Sequence, residues 1–155
     1  MQGITVGHFD EQGNACLKFH IRGVAPDGLE LSGIIDTGFT GFIQLPIEHA
    51  FRLRLPLEGS VESTLADDSN TSSYTALGTV VYDGVEQEGV VILETVATSV
   101  LIGMAFLRQF KLSLNINSKQ VMLLNEDWMN QYIEKAQRPS IESSDGLPHP
   151  GDLPK

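Results

Sequence analysis

With 155 residues, 41% of them hydrophobic, the chain can bury the core of one ordinary domain but not of two large lobes. Ten basic residues against twenty acidic ones give a net charge of -10, which repels phosphate backbones and anionic membrane surfaces, so neither nucleic acid nor a membrane is an expected partner. No apolar run approaches the ~20 residues of a bilayer span and no basic-then-apolar leader opens the chain, which points to a soluble protein.

Along the first 125 residues, β-branched and aromatic residues alternate with polar ones between punctuating glycines, and this period of two predicts an all-β fold. The predicted strands cover 2–7, 15–24, 29–36, 42–45, 61–66, 72–82, 85–95, 100–102, 111–115 and 120–124. Cys16 falls within the alternating stretch ACLKFHIRG and reads as a small buried hydrophobe. A lone cysteine forms no internal disulfide, so a reducing cytoplasm is the expected compartment. The dipeptide steps in PDG (26–28) and DG (83–84) supply a fixed φ and a glycine that accepts positive φ, and they mark two hairpin turns.

Two short helices interrupt the strands. In LPIEHAFRLRL, Pro46 suits a first helical turn, and Ile47, Ala50, Phe51 and Leu53 recur at near-helical spacing. In GMAFLRQF, Met104, Leu107 and Arg108 lie three and four apart beyond Gly103. A third helix is predicted over 126–137, where EDWMNQYIEKAQ has acids in its first turn, Lys135 near its end, and Trp128, Tyr132 and Ala136 on one face. Residues 1–125 therefore read as one domain, 126–137 as a C-terminal helix, and 138–155, rich in proline, glycine and serine, as a flexible tail. Four histidines and one cysteine show no zinc-ligand spacing, so neither a metal nor another cofactor is expected.

The stretch GIIDTGFTGFIQLP puts one carboxylate, Asp36, at the end of an apolar strand. A carboxylate that activates water for amide hydrolysis needs a partner acid to protonate the carbonyl oxygen or the leaving nitrogen. Two carboxylates ~3 Å apart meet that need, because like charges so close cannot both ionise and one proton is shared between them. A sharp turn must present the carboxylate, which suits Gly38, and Thr37 offers a hydroxyl beside it. Asp-Thr-Gly alone is a weak signal, since average residue usage produces it in about 3 of 100 chains of this length.

A second motif adds specificity. Ile34-Ile35-Asp36-Thr37-Gly38, followed later by Leu101-Ile102-Gly103 in SVLIGMAFL, resembles the retropepsin-like (clan AA) aspartic proteases, over roughly residues 3–124. In that family the two segments cross in a psi-shaped loop that presents the catalytic aspartate. The resemblance implies a closed barrel with a flap hairpin, an aspartic endopeptidase activity, Asp36 as the catalytic residue, and Thr37 and Gly38 as its support, with Thr37 bracing a two-fold seam. It also implies a flap in VESTLADDSNTSSYTALGTVVY, with Asp67, Asp68, Ser69 and Asn70 at a substrate-facing tip. Asp67 and Asp68 are a poor catalytic pair themselves, because adjacent strand residues point to opposite faces.

One Asp-Thr-Gly per chain makes a C2 homodimer the expected assembly, with two copies of Asp36 meeting at the axis over a peptide or protein substrate. The family's dimers are often tied by interleaved termini, and QVMLLNEDWMNQYIEKAQ offers a strand and helix for that role, or a helix that packs on its own barrel. Three positions depart from the retroviral pattern: Phe39 stands for a small alanine, Thr40 for an aspartate and Met104 for the arginine that pairs with it. Both sides of that ion pair are replaced together, as in bacterial-type relatives, and Phe39 enlarges the wall near the site. The alternative reading is a retropepsin-like binding or dimerisation module without turnover, since a fold does not fix a function.

Overall fold

The computed structural model describes residues 3–64 and 70–138. In chain order the described elements are β1 (Ile4–Val6), β2 (His8–Phe9), β3 (Ala15–Arg22), β4 (Leu29–Ile35), β5 (Ile43–Pro46), α1 (Ile47–Leu53), β6 (Leu57–Thr64), β7 (Asn70–Tyr82), β8 (Val85–Glu94), β9 (Leu101–Ile102), α2 (Met104–Gln109), β10 (Leu112–Ile116), β11 (Val121–Asn125) and α3 (Glu126–Gln137). The all-β reading holds, and the three helices stand where helical spacing placed them. The flap tip 65–69 and the tail 139–155 lie outside the described residues.

Strands β2-β3-β4-β9-β5-β8-β7-β6 form one sheet in that order, and an additional β3–β7 pairing joins its two sides. Six strands, β3, β4, β9, β5, β8 and β7, therefore close into a barrel, which removes their exposed edges. The closure is written in the side chains: Ala76, Val80 and Tyr82 of β7 and Val91 and Leu93 of β8 turn inward on the period of two. The β7–β8 hairpin closes over Asp83 (φ 49°) and Gly84 (φ 75°), the double positive φ that a two-residue turn requires and that the DG dipeptide announced.

The centre of the barrel is aromatic. Phe106 of α2 is fully buried and meets Phe19, Phe42, Tyr82 and Phe110 at ring-centroid distances of 6.0, 5.6, 5.9 and 4.6 Å. Offset and edge-on packing of this kind adds about 0.5–1.5 kcal/mol per pair beyond the area it buries. Helix α2 is thus a plug as much as a connection.

Beside the barrel, β1-β11-β10 form a second antiparallel sheet. β11 is paired on both sides within its own chain, so the strand offered for interleaving has no free edge, and β1 and β10 are the edges of this sheet. Asn125 caps α3: its Oδ1 accepts the Trp128 N–H at 3.0 Å while its Nδ2 donates to the Phe110 carbonyl at 3.2 Å. A Lys111–Asp127 ion pair of 2.8 Å, the Glu126 N–H on the Lys111 carbonyl at 2.9 Å and the Trp128 ring over Gly3 add to that anchor, while further along α3 no residue is fully buried and Tyr132 and Ile133 are exposed.

Some boundaries move. Gly7 divides the predicted first strand into β1 and β2, its N–H donating to the Val121 carbonyl at 2.8 Å, and a side chain there would strike the Cys16 carbonyl. β6 begins at Leu57, earlier than predicted, and the irregular pairing with β7 between Leu57 and Gly59 breaks the alternation that would have marked its start. Pro46 ends β5 and is the N-cap of α1 (φ −54°, ψ 137°), not part of its first turn.

Candidate active site

β4 and β9 run parallel, with Ile34 opposite Leu101 and Ile35 opposite Ile102, and β9 is clasped on its other side by antiparallel β5. Strand β9 is therefore inserted between the segment that leads into Asp36 and the segment that leaves it. Backbone hydrogen bonds close the crossing: Asp36 N–H to the Ile102 carbonyl (2.9 Å), Gly103 N–H to the Phe42 carbonyl (3.0 Å), Met104 N–H to the Phe39 carbonyl (2.8 Å) and Ala105 N–H to the Gly41 carbonyl (3.1 Å).

Close approach explains the glycine in the second motif. A Cβ on Gly103 would lie 2.1 Å from the Gly41 carbonyl oxygen and 2.6 Å from the Phe39 ring, distances no side chain can occupy. The Phe39 ring itself lies over Gly41, and is half-buried against its own chain. Met104, in the place of the family's arginine, packs its side chain against the barrel core, and Thr40 is exposed.

The turn after β4 holds its own carboxylate. Asp36 Oδ1 accepts the Gly38 N–H at 2.9 Å, and the Asp36 carbonyl accepts the Phe39 N–H at 3.2 Å. Asp36 is half-buried while Thr37 and Gly38 are exposed at the tip of the turn. One carboxylate oxygen is thus fixed by a backbone donor and the group is presented outward from the end of a packed strand.

Register shows which side chains share the face of Asp36. Successive pairings align His8 with Cys16, Cys16 with Ile34, Ile34 with Leu101, Leu101 with Gln44, Gln44 with Ile92 and Ile92 with Thr75. Ile34 is two residues before Asp36, so this row lies on the same face, and Ile34, Leu101, Gln44, Ile92 and Thr75 are all half-buried. Where the row meets residues 98–100, a recess of about 250 Å3 is lined by His8, Asp10, Ser32, Ile34, Thr98 and Val100, and Ser32 Oγ lies 3.2 Å from His8 Nε2.

No protein-family model matches the sequence, and no curated protein matches it. Solved structures do. A retropepsin-like aspartic protease from Rickettsia conorii superposes with a TM-score of 0.59 at 19% identity, covering 78% of this chain and 90% of that one. The protease of EIAV, solved with the inhibitor HBY-793, superposes with a TM-score of 0.51 at 14% identity, covering 70% of this chain and 99% of that one.

The fold is retropepsin-like. In this retropepsin-like barrel the strand end Ile34-Ile35-Asp36 of the first motif comes together with Leu101-Ile102 of the second, the crossing that the resemblance implied. Of the four flap-tip candidates, Asp67, Asp68 and Ser69 lie outside the described residues. Asn70 opens β7, paired with Thr64. The row through Gln44, Ile92 and Thr75 escaped the sequence reading, because alternation shows which residues share a face within a strand and not which strands lie side by side.

Proposed function

We propose that the chain is an aspartic endopeptidase, with Asp36 supplying one carboxylate of a catalytic pair and a second copy of the chain supplying the other. The observation that carries this reading is the crossed β4–β9–β5 arrangement, which ends in a backbone-held carboxylate facing outward beside a half-buried, mostly apolar row. Two Asp36 carboxylates across a two-fold axis share one proton, so one activates water and the other protonates the amide. Thr37, exposed at the turn tip, braces that seam, and Gly38 supplies the N–H that holds Oδ1.

The substrate is an extended peptide, gripped between the β6–β7 hairpin and the face of Asp36 by main-chain hydrogen bonds as an added strand. The similar solved proteins are described as aspartic proteases, one with an inhibitor bound, which supports the reaction class. The test is Asp36→Asn in a peptide-cleavage assay between about pH 4 and 7, the range in which a shared carboxylate pair works. Cleavage should fall at least ~100-fold with the thermal midpoint unchanged, the size of effect that loss of a general acid or base produces. Equal cleavage by both forms overturns the proposal, and no cleavage by either favours the binding-module reading.

A further inference from the structure

Opposite the face of Asp36, a cavity of about 580 Å3 opens between α1 and the root of the β6–β7 hairpin. Tyr74 and Leu93, paired across β7 and β8, form its floor, and Leu93 points to the barrel interior while its neighbour Ile92 belongs to the row beside Asp36. The cavity is therefore separate from the proposed catalytic face. Ile47, Phe51, Leu55 and Leu57 complete its walls, and two of them are exposed to an unusual degree for such large apolar groups, Phe51 at 75% and Leu57 at 64%.

One cation stands among these apolar walls. Arg54 lines the cavity, and among the described residues its guanidinium pairs with no carboxylate, in a chain whose acids outnumber its bases two to one. Arg54 is the C-cap of α1 at φ 52° and ψ 49°, and its N–H closes the helix on the Ala50 and Phe51 carbonyls, which fixes where its side chain leaves the helix. An unpaired cation on the wall of an apolar cavity offers a charge-assisted partner to an anionic group.

We propose that this cavity binds an aliphatic monocarboxylate, its chain along Phe51, Leu55, Leu57 and Leu93 and its carboxylate on Arg54. The volume lies within the range of small-molecule sites. A peptide fits the walls poorly, because apolar side chains leave its amides without partners, whereas a hydrocarbon chain needs none. The occupant bridges α1 and the hairpin root, and through Thr95 it touches the start of the segment whose Val100 carbonyl accepts the Ile34 N–H.

Calorimetric titration of the full chain with decanoate and with decanol tests this. Decanoate should bind at least about tenfold more tightly than decanol, the difference one charge-assisted contact makes. Arg54→Gln should bring decanoate down to the decanol level and leave decanol unchanged, Leu57→Asp should abolish both, and Asp36→Asn should bind decanoate as the wild type does. Equal binding of decanoate and decanol, no binding of decanoate, an unaffected Arg54→Gln variant, or displacement of decanoate by the tripeptide Leu-Leu-Phe at equal concentration overturns the proposal.

Discussion

Gly103 and Cys16 illustrate how a single position is fixed by what surrounds it. Gly103 faces a carbonyl oxygen that cannot retreat, because the Gly41 carbonyl is itself held by the Ala105 N–H. Gly103→Ala should therefore lower unfolding free energy by about 2–3 kcal/mol, the scale of an overpacked core, read from a urea midpoint; an unshifted midpoint would contradict the crossing described above. Cys16 is buried in β3, where burial first and the Asp10 carboxylate second push its thiol up, so little thiolate exists near neutral pH. It should react with a thiol reagent at pH 7 only when the chain unfolds, and stoichiometric labelling of the folded protein would refute that. Cys16 was legible as a buried hydrophobe from its residue type and its place in an apolar strand, although alternation sets it opposite the inward Leu17, Phe19 and Ile21; Asp36-Thr37-Gly38 was legible only jointly with Leu101-Ile102-Gly103. Phe39 was harder to read: its ring covers Gly41 and Gly103 of its own chain, a contact between loop residues that has no period.

At the scale of elements, helices were legible wherever spacing and a terminus signal coincided, as in α3 with its acidic first turn and in α1 after Pro46. The cap of α3 was not, since Asn125 also serves the Phe110 carbonyl and that carbonyl's position depends on α2. Asn125→Ala removes the cap and leaves a buried carbonyl unsatisfied, and should cost about 1–3 kcal/mol. Because α3 has no fully buried residue, and its contacts, the Asn125 cap, Trp128 over Gly3 and Asp127 on Lys111, fall in its first turn, its amides should lose hydrogen-exchange protection before those of β11; simultaneous loss would contradict a helix anchored at its first turn. Strand pairing followed different physics. β9, two residues within the predicted strand 100–102, was legible as a strand, but its pairing with β4 on one side and β5 on the other, on which the whole crossing depends, was not.

For the whole molecule, closure of six strands around the Phe106 cluster makes a rigid platform, and the row beside Asp36 lies on its outer face. The carboxylate held there is half of the machinery the proposed reaction needs, and an isologous two-fold axis is the most economical source of the other half. A dyad shared between subunits has a signature that a self-sufficient subunit lacks. When wild type and Asp36→Asn are mixed and allowed to exchange subunits, cleavage requires two intact copies in one dimer, so activity follows the square of the wild-type fraction. An equal mixture should retain about one quarter of the wild-type rate per total protein. About one half, the linear value, would show that a single Asp36 suffices and would contradict the shared pair.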